Sequence, residues 1–175
     1  MVFGVYQLPF GKGQQFNINS RVANAIFGGW NLTTVYTAQT GAPITWVNGS
    51  SSTPGDYVYL GGPLNVNDRQ PNGTAFNTAV FDVKSADAFN YHLRTFPTTF
   101  INARTDGINQ LDTSVLKRFA IGERRSFELR GEFYNTMNHV IFGPPSTTAS
   151  SSGFGTITTQ ANTPRSIQLV ARIYW

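Results

Sequence analysis

The sequence closes with RSIQLVARIYW, residues 165–175, in which apolar and polar side chains alternate. The apolar set is Ile167, Leu169, Ala171, Ile173 and Trp175. The opposite set is Ser166, Gln168, Arg172 and Tyr174, with Val170 as its apolar exception. A period of two predicts a β-strand with one apolar and one polar face, and about ten residues suffice to cross a bilayer as a tilted strand. Together with the terminal aromatic residue, this pattern predicts the last strand of a β-barrel in the bacterial outer membrane.

The composition fits this class of protein. Charged residues make up 13% of the 175 residues and aromatic residues 14%, whereas a typical soluble domain is about 25% charged. The absence of cysteine excludes a disulfide framework, a cysteine zinc site and a cysteine nucleophile. The net charge of +4 comes from scattered basic residues, so no nucleic acid partner is expected. No apolar run approaches the length of a transmembrane helix, about 18 residues.

Four earlier stretches show a similar strand pattern, which predicts an all-β, antiparallel, partial transmembrane barrel of about five strands. The predicted strands are residues 2–8, 30–40, 110–121, 126–135 and 165–175. A short helix is predicted at Arg21 to Ile26. Ile44 to Val47 is predicted to continue the second strand beyond a bulge, and Tyr57 to Leu60 to form a short hairpin arm.

The connections between these strands predict an orientation, because outer-membrane barrels have short periplasmic turns and long extracellular loops. Residues 48–107 lack a regular pattern and are rich in turn residues, as are residues 136–163. Both are predicted to be extracellular, and Gly122-Glu123 to be a periplasmic turn. The connection from Pro9 to Phe27 is long for a periplasmic one and departs from the rule.

Charged side chains alternate along the strand from Ser126 to Asn135. Glu128, Arg130 and Glu132 share one face, and we interpret them, together with Arg172, as lumen-facing residues that pair across strands. The other reading of the two glutamates, an acid–base pair, would need environments that separate their pKa values. Aromatic residues near strand ends are predicted to form interfacial girdles: Trp30, Tyr134, Tyr174 and Trp175.

No motif for catalysis or cofactor binding stands out. The two histidines, His92 and His139, fall in predicted loops and would need Asp87 or Asp106 to converge on them for a metal site. There is no Gly-x-Ser-x-Gly elbow, and the glycines at 11, 13, 28 and 29 do not form a phosphate loop. We therefore expect a protein that is not an enzyme and that holds no cofactor and no metal.

Several motifs resemble the late barrel of Oar-like TonB-dependent outer-membrane transporters. They cover nearly the whole chain in order, and no single one carries the resemblance alone. They are LPFGKG at 8–13, GGWNL at 28–32, TGAPI at 40–44, FNTAVF at 76–81, LDTSVLKRF at 111–119, ELRGEFYNTMNH at 128–139 and FGPP at 142–145.

The resemblance implies a carboxypeptidase-regulatory-like domain, a plug and a barrel of about twenty-two strands. Residues 1–175 would be the C-terminal part of that barrel, without the plug, the earlier strands or the segment that contacts TonB. The expected partners are outer-membrane lipid, the rest of the barrel and plug, and the barrel-assembly machinery, with TonB reached only through the missing segment. That machinery is expected to read the terminal strand, through Leu169, Ala171, Ile173, Tyr174 and Trp175.

Two other functions stay open at this point. A secreted β-sandwich of adhesin or carbohydrate-binding type would also have alternating strands, and it would fold alone in water. An outer-membrane enzyme would need a nucleophile and a base that converge near a barrel rim. Five spanning strands cannot close a barrel, since bacterial barrels begin at eight, so the first reading also predicts that further strands are needed.

Overall fold

The computed structural model describes residues 1–46, 58–65, 73–84, 97–122, 124–148 and 151–175. The strands are β1 (Val2–Gln7), β2 (Trp30–Gln39), β3 (Pro43–Thr45), β4 (Val58–Tyr59), β5 (Phe81–Asp82), β6 (Thr99–Arg104), β7 (Ile108–Ile121), β8 (Arg125–Tyr134) and β9 (Ser166–Tyr174). One α-helix, α1 (Arg21–Phe27), and a 3-10 turn over Thr78–Val80 complete the elements. Within these ranges, no helix is long and apolar enough to cross a membrane.

The chain divides into two compact units. The first, here called the sheet unit, comprises Met1–Ala38, Asn109–His139 and Thr163–Trp175. The second, here called the loop unit, comprises Gln39–Ile108 and Val140–Asn162. Each unit has its own sheet structure and its own pattern of burial.

The sheet unit is built around one five-stranded sheet with the order β1-β2-β7-β8-β9. The pairs β1–β2, β7–β8 and β8–β9 are antiparallel, and β8 and β9 pair along their whole length, from Ser126 opposite Tyr174 to Tyr134 opposite Ser166. The prediction of five antiparallel strands is confirmed. The sheet is not closed, because in the described part of the chain β1 and β9 each have one neighbour.

Local sequence explains two of the connections in the sheet unit. Gly122 follows β7 with φ +73°, a conformation that favours glycine, so the turn predicted there is confirmed at Gly122, while Glu123 lies outside the described residues. Ser20 caps α1 by accepting a hydrogen bond from the Ala23 N–H. The helix predicted between β1 and β2 is confirmed.

The loop unit has a core of its own, which the sequence pattern did not predict. Its buried side chains include four aromatic residues whose rings contact one another, Trp46, Phe76, Phe81 and Phe154, together with Leu64. Trp46 and Phe76 are fully buried, with ring centroids 5.1 Å apart. The described parts of the excursion predicted as patternless loop therefore contribute to a folded unit.

Two short sheets belong to the loop unit. β3 pairs with β6 rather than extending β2 within the five-stranded sheet, so the continuation predicted at Ile44 to Val47 is wrong where the structure describes it, and Val47 lies outside the described residues. The chain leaves β2 at Gly41, where the backbone of Thr105 lies so close that a Cβ atom would collide with it. β4 confirms a short strand near Tyr59, but its partner is the distant strand Phe81–Asp82, so the pair is not a local hairpin, and Tyr57 lies outside the described residues.

Candidate functional site

The register of the sheet assigns the side chains of β7, β8 and β9 to two faces. Residues directly opposite each other on neighbouring strands point to the same face. Glu128 lies opposite Arg118 on β7 and Arg172 on β9, so these three charged residues share a face. Arg130 and Glu132 lie on the same face, at two-residue steps along β8. The structure thus brings together the residues predicted to face the lumen.

The charged face is held by a ladder of ion pairs. Glu128 accepts a hydrogen bond from Arg118 at 2.8 Å and one from Arg130 at 3.2 Å. Arg130 also reaches Glu132 at 3.5 Å, and the Tyr134 hydroxyl donates to Glu132 at 2.8 Å. The Glu128 side chain is only 3% exposed, and each of its two carboxylate oxygens contacts one of these guanidinium groups.

This ladder favours the structural reading of the two glutamates. Arg130 bridges Glu128 and Glu132, so both carboxylates already have cationic partners. Charge-assisted hydrogen bonds of this kind fix side-chain geometry along a strand. The arrangement can present a fixed pattern of charge to a polar channel.

The opposite face of the same strands is apolar. Phe127, Leu129 and Phe133 of β8 lie opposite residues of β9 that are also apolar. Those residues are Ile173, Ala171 and Ile167, with Leu169 opposite Gly131. The side chains of Ile167, Leu169 and Ile173 are 60%, 76% and 62% exposed. A β-sandwich would cover such a face with a second sheet, so these exposures argue against the sandwich alternative.

The residues predicted for barrel assembly all lie at β9. Leu169, Ala171 and Ile173 point to the apolar face, as predicted. Trp175 follows the strand and is 92% exposed. Tyr174 points to the charged face instead, where the Arg118 guanidinium lies 5.2 Å from the centre of its ring.

The girdle prediction needs a correction at two tyrosines. Tyr134 follows Glu132 on the charged face and donates its hydroxyl hydrogen to that carboxylate. Tyr174 lies opposite Ser126 on that face. Since an interfacial girdle faces lipid, neither tyrosine is placed to form it. Trp30, at the start of β2, donates its indole N–H to the Ile26 carbonyl at 2.9 Å.

Lys117 is a charged residue that lies on the apolar face, and the sequence analysis gave it no role. It lies opposite Leu129 yet is only 3% exposed. Its ammonium donates to the Asn24 carbonyl at 3.4 Å and lies over the rings of Trp30 and Phe119, at 5.3 Å and 5.0 Å. The only sequence signal for a buried lysine here was its position in an otherwise apolar alternation. Asn24 and Trp30, which contact it, are distant in the sequence, so the pattern of β7 could not identify them.

Asn135 is a second residue that sequence reasoning missed. It is 1% exposed and has φ +49°. Its N–H donates to Asp112, and its side-chain amide donates to the His139 and Thr163 carbonyls. Its side-chain oxygen accepts from the His139 N–H at 2.9 Å. One asparagine thus ties the end of β8 to β7 and to the segment that enters β9.

The metal interpretation gains no support. Among the described residues, no group of three or more histidine, aspartate or glutamate side chains is arranged to hold a metal ion. Asp106 accepts hydrogen bonds from the N–H groups of Gly107 and Phe142. His92 and Asp87 lie outside the described residues.

Comparison with known proteins agrees with this geometry. A family model described as "Outer membrane beta barrel domain" matches residues 1–168. The comparison with curated proteins gives no match, and neither does the comparison with solved structures. The two-faced antiparallel sheet is the structure that such a domain requires, and it places the protein in the bacterial outer membrane as barrel wall. Because the match covers nearly all of its length, the chain belongs to the outer membrane beta barrel domain family.

Proposed function

We propose that residues 1–175 are the C-terminal part of the barrel of an Oar-like TonB-dependent transporter, which moves a large substrate across the outer membrane. The observation that carries the proposal is the sheet unit, an antiparallel sheet with one laddered charged face and one exposed apolar face. The motifs that resemble this family, above all those at 111–119 and 128–139, support it further.

The open edges of the sheet support the need for further strands. β1 and β9 each pair on one side within the described residues. In hydrocarbon, each unpaired backbone N–H or C=O costs several kcal/mol, and bacterial barrels have at least eight strands. Strands from the rest of a larger barrel would remove both edges.

The charged face then contributes to the lumen wall. Glu128, Arg130, Glu132 and Arg172 would line the polar interior beside the plug. The loop unit would contribute folded extracellular structure, and selectivity would depend on it and on the plug. The chain itself would perform no chemistry and hold no cofactor.

The terminal strand is proposed as the segment that the barrel-assembly machinery reads. The test changes Trp175→Asp in the full-length protein, and Ser166→Asp serves as the matched control on the same strand. We expect Trp175→Asp to reduce the amount of folded protein in the outer membrane, and Ser166→Asp to leave it unchanged. Unchanged insertion of both variants would contradict this role.

The TonB assignment has its own test. The coding sequence upstream of Met1 should continue in frame through further alternating strands and a plug. In cells, the full-length protein should cross-link to TonB through a segment before the plug. An outer-membrane protein without a plug, and with no cross-link to TonB, would contradict transport of this kind while leaving the barrel wall intact.

A further inference from the structure

A cavity lies at the end of β7 in the sheet unit. Its volume is about 430 Å³. Its walls are the connection between β1 and α1, the helix itself, Gly28 and Gly29, and residues 117–120 of β7. This is the end of the sheet at which Gly122 begins the turn into β8.

The walls of this cavity are basic. Lys12, Arg21, Lys117 and Arg118 line it, and none of the aspartate or glutamate residues that the structure describes does. Of these four, only Arg118 has a carboxylate partner among the described residues, Glu128 at 2.8 Å. The positive charge around the cavity is therefore mostly uncompensated.

Lys117 shows what the cavity lacks. Its side chain is nearly buried, and its ammonium has one long hydrogen bond to the Asn24 carbonyl and two aromatic rings beside it. In the described part of the chain no carboxylate pairs with it. A buried charge is costly without a counter-charge, and the carbonyl and the ring faces offset only part of that cost. An anion in the cavity would supply the rest.

The donors that remain around the cavity are side chains. The N–H groups of Gly28 and Gly29 donate to the carbonyls of Asn24 and Phe10, and the Lys12 N–H donates to the Asn24 side chain. The side chains of Gln7 and Gln14 add neutral donors to the lining. Several cations and amides around one small volume suit an anion with several acceptor oxygens.

We propose that this cavity binds a phosphate group, held by Lys12, Arg21 and Lys117. Two sources share this chemistry, the headgroup of an anionic phospholipid and free phosphate. Lys117 lies on the same face as Leu129 and Ala171, the face that we assign to hydrocarbon, and this position favours a lipid headgroup as the source. Basic pockets beside membrane-facing surfaces bind such headgroups.

The test uses the full-length protein, purified and folded in a neutral detergent. Calorimetric titration with inorganic phosphate and with short-chain phosphatidylglycerol measures the two sources separately, and short-chain phosphatidylcholine is the zwitterionic control. Lys117→Met should weaken binding by about tenfold or more, as expected for the loss of one charged hydrogen bond. Arg125→Gln removes an exposed charge that does not line the cavity, and binding should stay within about twofold.

The outcomes answer two separate questions: whether the cavity binds a phosphate group, and whether that group comes from lipid or from free phosphate. Binding of phosphate alone assigns the site to a free anion, and binding of phosphatidylglycerol assigns it to lipid; both support the site when Lys117→Met weakens binding. If Lys117→Met fails to fold, as judged by heat-dependent mobility on a gel, Arg21→Gln replaces it, because Arg21 is exposed and lines the cavity. Absence of binding by both probes, or equal weakening by Arg125→Gln, would overturn the proposal.

Discussion

The two units of this protein distribute polarity in opposite ways. Every large buried hydrophobic side chain in the described part of the chain belongs to the loop unit, whereas the buried polar and charged residues, Lys117, Glu128 and Asn135, all belong to the sheet unit. In the sheet unit, apolar side chains such as Leu169 are exposed instead, at 76%. One chain thus contains an ordinary aromatic core and a sheet that has one exposed apolar face.

The opposite distribution of polarity in the two units indicates that they fold in different surroundings, one in water and one in lipid. A core such as that around Trp46 is stabilised by removing apolar surface from water. An exposed apolar face is stable only where the surroundings are themselves apolar, as in the hydrocarbon of a bilayer. The contrast between the units therefore separates residues that fold against water from residues that face lipid, and the four predictions that follow probe the two units.

The largest effect is expected in the loop core. Phe76 is fully buried against the rings of Trp46, Phe81 and Phe154. Phe76→Ala should destabilise the loop unit by about 3–5 kcal/mol, through lost burial and a cavity. Limited proteolysis on whole cells should then cut within residues 39–108, while the folded barrel still shifts its gel mobility on heating. Leu60→Ala, at a residue 64% exposed, is the control and should leave cleavage unchanged. Unaltered cleavage in Phe76→Ala would contradict a packed loop core.

A charge on the apolar face of the sheet comes next. Leu169→Arg should lower the free energy of unfolding in lipid vesicles by about 2–4 kcal/mol, because arginine would enter hydrocarbon. Gln168→Arg is the matched control, since Gln168 lies opposite Glu132 on the charged face. Equal costs for the two substitutions, measured by denaturant titration, would show that the sheet does not have a lipid face and a lumen face.

The buried asparagine gives an intermediate effect. Asn135→Ala should cost about 1–3 kcal/mol, because it removes the side-chain hydrogen bonds to the backbone of His139 and Thr163. Asn138→Ala is the control, since Asn138 also has a positive φ, +52°, but is exposed and accepts a single long hydrogen bond, from the Arg165 N–H at 3.3 Å. The same denaturant titration compares the two variants. A loss of similar size in both would assign the effect to backbone strain rather than to the buried hydrogen bonds.

The smallest effect is expected at an exposed residue of the loop unit. Ile101 is 81% exposed, close to the 76% of Leu169. Ile101→Ser should change stability by less than about 0.5 kcal/mol, as for most surface substitutions, whereas Leu169→Ser should cost about 1–2 kcal/mol in vesicles because a leucine leaves hydrocarbon. Denaturant titration of the two variants in the same vesicles measures both. If the two serine variants behave alike, exposed residues of the two units face the same medium.

The sheet could be predicted from the sequence because its information is local. A period of two along residues 126–135 and 166–174 states directly which side chains share a face, and the observed register agrees with it. The helix at Arg21–Phe27 was also predictable, as an interruption of the strand pattern.

The loop core was not predictable in the same way. Trp46, Phe76 and Phe154 come from three distant segments with no common period, so nothing local marks them as one cluster. The burial of Lys117 likewise depends on contacts with α1 and Trp30. The sequence of β7 alone does not indicate that these residues pack against its end. Sequence periodicity reports which face a residue occupies, but not what covers that face.

The central claim is that the apolar face of β9 contacts hydrocarbon. Residues 1–175 contain no cysteine. In the full-length protein, with any cysteine outside these residues replaced by serine, single cysteines are introduced along residues 166–173 and spin-labelled in vesicles. Collision with dissolved oxygen should peak at Ile167, Leu169, Ala171 and Ile173, and collision with a water-soluble nickel chelate at the residues between them, Ser166, Gln168, Val170 and Arg172. Equal access of the chelate to both sets would contradict the claim.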